Sequence, residues 1–230
     1  MPTGAIYQDL LADYMEYMGV GEAEARRQMK DAELKLKRRW LALKPQTPAD
    51  QVRFYRQQEL YIADLTGWLL RDSAVAAFIG MLREYLGKYG IETVLDYGCG
   101  IGTQGLSLAE AGAEVTLMDI EGPVWEYAQW RARKHGLFNK VRWLPLAPMM
   151  DDYDLILCID VVGHVPDPFR LLQELADKTE FLFYNKDFRI QARAADDRYP
   201  QHHREPEGWE GTFRHHFQQI DAFLYRRLMQ

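Results

Sequence analysis

Cysteine is scarce in this chain of 230 residues: only Cys99 and Cys158 are present. Two thiols supply neither a disulfide framework nor a cysteine-based zinc site. A chain of this length needs no covalent staple, so a reducing cytoplasm is the expected compartment. Long apolar runs are missing too. The longest, residues 74–82, is far shorter than the ~20 residues that cross a bilayer. Residues 1–14 lack a basic segment followed by an apolar one, so no signal peptide is expected. Nor is there an excess of positive charge, with 28 Lys and Arg against 34 Asp and Glu and a net charge of −6. That disfavours wholesale coating of nucleic acid. Repeats and low-complexity tracts are absent. A hydrophobic share of 47% beside 27% charged residues is globular and excludes disorder and collagen. What the chain does have is aromatic rings: six Trp, 13 Tyr and 10 Phe. They are material for a core and for an organic pocket.

The first 90 residues read as helical. Ile6, Leu10, Tyr14 and Met18 recur every four positions and make one apolar face. Gly19 and Gly21 end that helix, and residues 22–44 form a long charged one. Residues 45–48 are the clearest linker. Thr47, then Pro48, with Asp50 three positions after Thr47, starts the next helix: a side-chain cap, a proline in the first turn and an acid at the positive end of the dipole. That helix carries Val52, Tyr55, Leu60, Ile62, Leu65 and Trp68 without a break. Another runs over 73–89, with Gly90 placed to stop it.

After Gly90 short β-rich runs alternate with helical runs. Strands are expected at 93–97, 114–119, 141–144, 153–159 and 180–184, and helices at 102–112, 123–136 and 168–178. This order implies an α/β domain, a mostly parallel sheet with helices on both faces. Residues 185–210 read as a long irregular loop, and residues 221–229 as a closing strand or helix. The expected organisation is a helical cap over 1–90 and a catalytic domain over 91–230.

The strongest local signal is Asp96-Tyr97-Gly98-Cys99-Gly100-Ile101-Gly102-Thr103 after the strand at 93–97. Glycines permit a tight turn and let a ligand approach the backbone. Asp119 ends the next strand, 21 positions after Gly98, where a carboxylate can accept both hydroxyls of a ribose. An adenosine-type ligand follows. A dinucleotide site prefers its third glycine at position 103, which is Thr here. Asp96 lies against the loop and would oppose a pyrophosphate, but suits an ammonium and a sulfonium.

With these residues the chain resembles the Rossmann-type, class I S-adenosylmethionine-dependent methyltransferases, small-molecule branch. The resemblance runs over 91–184 and includes Tyr153-Asp154-Leu155-Ile156-Leu157-Cys158-Ile159-Asp160-Val161-Val162-Gly163-His164-Val165 as their fourth strand and turn. It implies that Asp96, Gly98, Gly100 and Gly102 hold the methionine end of S-adenosylmethionine and Asp119 the ribose. It further implies that Ile120 packs on the adenine and that Asp160 and Val161 line the floor near the sulfur. Asp160-Val161-Val162-Gly163 departs from the Asn/Asp-Pro-Pro-Tyr turn of methyltransferases acting on nucleobase or glutamine amino groups, and the third strand leads into Pro145-Leu146-Ala147-Pro148 without the acid often found there.

For chemistry, His164 is the best-placed general base, with His202 and His203 in the loop as further candidates. His215 and His216 are two more histidines with a possible substrate role. Tyr55, Tyr61 and Trp68 are placed to close over the sulfonium, since a ring face attracts a cation. No metal is expected. The reading is methyl transfer to a small-molecule acceptor, with no nucleic acid or membrane partner and with a homodimer open through the aromatic cap. An NAD-dependent oxidoreductase, a non-catalytic cofactor-binding protein and an RNA methyltransferase using the basic face of 26–44 stay as alternatives.

Overall fold

The computed structural model of the chain describes residues 4–71, 73–185 and 207–228. Six helices come first: α1 (Ala5–Gln8), α2 (Leu10–Met18), α3 (Glu22–Leu43), α4 (Pro48–Arg56), α5 (Leu60–Arg71) and α6 (Ser73–Tyr89). Then follow β1 (Thr93–Tyr97), α7 (Thr103–Glu110), β2 (Glu114–Asp119), α8 (Pro123–Lys134), β3 (Val141–Pro145), β4 (Tyr153–Cys158), α9 (Pro168–Lys178) and β5 (Thr179–Tyr184). The C-terminal part adds α10 (Trp209–His216), β6 (Phe217–Gln219) and β7 (Leu224–Arg227). No helix among the described residues is long and apolar enough to cross a membrane.

The sheet order is β3-β2-β1-β4-β5-β7-β6. The first five strands pair in parallel, and β7 runs antiparallel to β5 and to β6. Neighbouring residues of each central strand point to opposite faces, so both must be apolar. Val94, Leu117, Leu155 and Phe183 pack with Phe78, Leu82 and Tyr85 of α6 on one side. Leu95, Ile156 and Leu182 pack with Leu171, Leu172 and Leu175 of α9 and with Trp209 and Phe213 of α10 on the other. The helix α6 therefore belongs to the core of the sheet. The other N-terminal helices form a third core, in which Leu10, Tyr14, Ala25, Met29 and Ile62 meet Ile101 and Tyr127.

Thr47 caps α4 as the sequence predicts. Its hydroxyl accepts from Asp50 N, and the Asp50 carboxylate accepts from Thr47 N. The helix expected to continue to Trp68 does not. It stops at Gln57, and α5 begins at Leu60. Gln58 is buried at the break, where it accepts from Arg39 of α3. A tertiary contact thus ends a helix that has no local stop signal. The closing segment over 221–229 is the strand β7, paired to β5, and neither α10 nor β6 has a strong signal in the sequence.

Parallel strands leave their carboxyl ends on one edge. The chain order reverses between β1 and β4, and a crevice opens where the following connections part to opposite sides. The loops after β1, β2 and β4 meet there.

Candidate active site

The glycine loop leaves β1 at Gly98. Gly98 N and Cys99 N both donate to Met118 O, at 2.8 and 3.1 Å, which ties the loop to the end of β2. Gly98 has φ +70°, and a Cβ there would stand 2.5 Å from Val161 Cγ2. Only glycine fits both the left-handed backbone and that close approach. Gly102 N donates to Cys99 O at 2.8 Å and closes the turn, and α7 starts at Thr103.

Asp119 links the two loops. Its Oδ2 accepts from Gly100 N and its Oδ1 from Ile120 N, both at 2.6 Å. Burial pushes this carboxyl up to about 6 against the pull of those two N–H groups. Asp96 Oδ2 accepts from Gly105 N at 2.8 Å. Burial pushes it up to about 7, offset by the Gly105 bond and reinforced by the charge of Asp119. Asp96 thus anchors the first turn of α7 as well as facing the crevice. Gly105 is the price-free partner of that contact, because a Cβ would collide with Leu117 and come within 2.8 Å of Asp96 Oδ2.

A cavity of about 300 Å³ lies between these strand ends and the helices α3, α4 and α5. Asp96, Gly98, Gly100, Asp119, Ile120, Asp160, Val161, Tyr61 and His164 all line it. Gly102 stands behind the loop as the N-cap of α7. His202 and His203 lie outside the described residues. His215 and His216 occupy the last turn of α10, away from the cavity lining.

Asp160 follows β4 with φ +57°, a backbone state that a non-glycine residue rarely adopts. Its N–H donates to Asn185 Oδ1 at 2.7 Å, which steadies the turn. The turn carries His164, whose Nδ1 is 2.7 Å from Tyr55 Oη of α4 and whose Nε2 is 3.9 Å from Asp160 Oδ1. Tyr55 also shares a hydrogen bond with Tyr61, and their ring centroids are 5.4 Å apart. Burial first, then Tyr61 and Asp160, push the Tyr55 hydroxyl well above its ordinary range, so it stays protonated.

The sequence reading missed the residues that hold the helices to the loop. Arg131 of α8 is fully buried. Its Nη1 donates to Ile101 O and Thr103 Oγ1, both at 2.8 Å, its Nη2 to Ile6 O, and its Nε to Asp13 Oδ2 at 3.0 Å. Asp13 also receives Lys134 Nζ and His135 Nε2, each at 3.0 Å. Burial alone would raise the Asp13 pKa, but the charge of Arg131 and the bonds from Lys134, Arg131 and His135 bring it below the usual carboxylate value. Thr103, where a dinucleotide site prefers glycine, is thus one of the groups that hold Arg131. The available signal was Asp13 itself, a charge between Leu10 and Tyr14 on the apolar face of α2. Also missed were Glu33, Lys37 and Trp40 of α3, Asp64 and Arg71 of α5, and Gln104 of α7, all of which line the cavity.

Charge selects among nucleoside ligands. Among the described residues the lining carries five carboxylates, Glu33, Asp64, Asp96, Asp119 and Asp160, against the two cations Lys37 and Arg71. Such a wall repels a pyrophosphate and accepts a sulfonium with an ammonium. A doubly wound sheet, a glycine loop at its switch point and a carboxylate at the end of β2 define a Rossmann-type nucleoside-binding protein. Residues 25–230 match the model of the methyltransferase domain family, and the chain belongs to that family, in its class I, S-adenosylmethionine-dependent form. The chain is similar to the ubiquinone biosynthesis O-methyltransferase of Bordetella pertussis, with 31% identity over 102 residues, 43% of this chain and 42% of that protein. It is similar also to glycine N-methyltransferase of Rattus norvegicus, 32% identical over 124 residues, 49% of this chain and 40% of that one. Each alignment spans less than half the length of the curated relative. Among solved structures, magnesium protoporphyrin IX methyltransferase from Synechocystis PCC 6803, with bound SAH, aligns at a TM-score of 0.49 and 21% identity over 66% of this chain and 80% of that one.

Proposed function

We propose that the chain transfers a methyl group from S-adenosylmethionine to a small-molecule acceptor. The observation that carries this reading is the carboxylate-rich wall around a glycine loop whose own N–H group, at Gly100, is held by Asp119. In this reading Gly98, Gly100 and Asp96 hold the methionine end, with Gly102 fixing the turn behind them. Asp119 accepts from the ribose, Ile120 lies on the adenine, and Asp160 and Val161 form the floor. Lys37 and Arg71 supply the counter-charge for a carboxylate. Bound S-adenosylmethionine supplies an electrophilic methyl on a sulfonium, so the protein's task is to place an acceptor in line and relieve it of a proton. The helices α3–α5 roof the cavity, with Tyr61 beside the sulfonium position, and they are the lid in this assignment, whereas α6 of the expected 1–90 cap packs on the sheet.

S-adenosylhomocysteine is expected to raise the melting midpoint of the chain while NAD leaves it unchanged. At 100 times its dissociation constant a ligand adds about 2.7 kcal/mol, and in a chain of this size each kcal/mol is worth roughly 2–4 °C. A shift with NAD and none with S-adenosylhomocysteine would overturn the reading.

His164 is the base in this proposal, and Tyr55 holds its ring at Nδ1. A hydroxyl has one proton to give. Tyr55 meets both Tyr61 and His164 Nδ1, so it can donate to only one of them, and the imidazole tautomer follows from that choice. Asp160 Oδ1 lies 3.9 Å from Nε2, on the other side of the ring from Tyr55. Nitrogen NMR of the imidazole reports which nitrogen carries the proton, and Tyr55→Phe is expected to change that tautomer balance. With any acceptor that turns over, His164→Gln is expected to lower kcat by about 10²–10⁴. Full activity in His164→Gln would remove the base from the scheme.

A further inference from the structure

One face of α3 has no part in the site. The helix buries Ala25, Met29, Ala32 and Leu36 and turns Leu36, Lys37 and Trp40 toward the cavity. At helical spacing, the row opposite the buried one is Arg27, Lys30, Leu34, Arg38 and Leu41. All five are exposed, Leu34 at 48% and Leu41 at 47%. A helix face that meets only water is ordinarily polar throughout, and here two leucines flank Arg38. Arg27 pairs with Glu24 along the helix. Lys30 and Arg38 have no ion pair among the described residues. Residues 26–44 hold eight basic and two acidic side chains in a chain of net charge −6, so this face is opposite in sign to the molecule as a whole.

We propose that this ridge is a docking face for an anionic lipid bilayer, on which α3 lies flat. Lys30 and Arg38 meet the headgroups, and Leu34 and Leu41 enter the boundary of the acyl region. The leucines decide the partner. A nucleic-acid face adds aromatic or guanidinium stacking to its cations, and leucine contributes nothing to a phosphate backbone. A protein partner needs roughly 800 Å² per side, more than a ridge with two apolar side chains offers. A bilayer asks only for charge attraction and shallow insertion. The proposal stands apart from the methyl-transfer reading, and it departs from the expectation of no membrane partner, which rested on the absence of a spanning segment. It also gives the roof of the cavity a position: the helix whose inner side meets the cavity has its outer side on the lipid, the arrangement suited to an acceptor of lipophilic chemistry.

The test is co-sedimentation of the whole chain with vesicles of phosphatidylcholine alone and of phosphatidylcholine with phosphatidylglycerol. Retention is expected on the anionic vesicles only. Lys30→Gln with Arg38→Gln should weaken it roughly fivefold for each cation removed, and Leu34→Ser with Leu41→Ser should weaken it while the charge is intact. None of the four side chains lines the cavity, so an unchanged melting midpoint and an unchanged shift with S-adenosylhomocysteine report an intact fold in every variant. No retention on anionic vesicles, or retention indifferent to both pairs of substitutions, would overturn the proposal. So would sensitivity to the cation pair alone together with salt-dependent retention of an RNA homopolymer, which would make this a nucleic-acid face.

Discussion

Replacing Asp13 by alanine is expected to destabilise the chain by about 3–5 kcal/mol, because it leaves the fully buried Arg131 guanidinium without its counter-charge. At this size that is a fall in melting midpoint of roughly 2–4 °C per kcal/mol. The damage extends past α2. Arg131 holds Ile101 O in the glycine loop, Thr103 at the start of α7 and Ile6 in α1, so a displaced guanidinium also loosens the loop, and S-adenosylhomocysteine affinity should fall with stability. Asp13→Leu combined with Arg131→Met removes both charges together and should recover much of the loss, so the two sites are strongly non-additive. The pH dependence has a definite sign. Asp13 titrates below the usual carboxylate value in the folded protein. Its contribution is therefore full above the unfolded-state value and is lost as pH falls through the lower, folded one. A cost for Asp13→Ala below about 1 kcal/mol, typical of a surface pair, would show that this network does not fasten the helices to the loop.

Asp119→Ala should weaken S-adenosylhomocysteine binding by about 100-fold or more, since two charge-assisted hydrogen bonds to the ribose disappear. The carboxylate also holds Gly100 N and Ile120 N, so alanine additionally frees the loop. Asp119→Asn removes the charge but keeps one acceptor, so it gives up only one of the two backbone contacts and loosens the loop less than alanine does. The wild-type pH dependence follows from the raised values of about 6 for Asp119 and about 7 for Asp96. Ribose hydroxyls and an ammonium favour the ionised carboxylates. Binding then releases protons, and affinity should fall as pH drops through 7 and 6, approaching tenfold per unit for each carboxylate that must ionise. In the empty protein the sign is reversed. Both folded-state values lie above the unfolded ones, so the stability these groups contribute is present in acid and is lost as pH rises through about 6 and 7. Titration calorimetry of the wild type and Asp119→Asn across this range checks the first statement, and melting midpoints of the empty proteins over the same range check the second. Undiminished affinity in Asp119→Ala would sink the ribose assignment.

Much of this molecule is written in local sequence. The alternation of β-rich and helical runs after Gly90 determined the parallel α/β sheet, because strand and helix periods differ and each run is long enough to register. The spacing of Asp96, Gly98, Gly100, Gly102 and Asp119 marked a glycine turn and a strand-end acid, and the fold brings the two together at the crevice. Thr47, Pro48 and Asp50 marked a helix start because capping is a contact between residues three apart.

The tertiary structure decided what depends on partners remote in the chain. The break between α4 and α5 is made by Gln58 against Arg39, and no local residue announces it. Asp13 and Arg131 lie 118 positions apart, so neither sequence neighbourhood shows that they neutralise each other. Tyr55 meets His164 across 109 positions, and that contact holds the ring of a histidine that the sequence shows only as part of a turn. The C-terminal strands are short and polar on their exposed side; β7 is a strand because β5 offers an edge, and β6 because β7 then offers the next. Local sequence fixes backbone preference and burial pattern. Charge neutralisation, ring orientation and edge pairing belong to the groups that folding brings together, and only the folded chain contains those encounters.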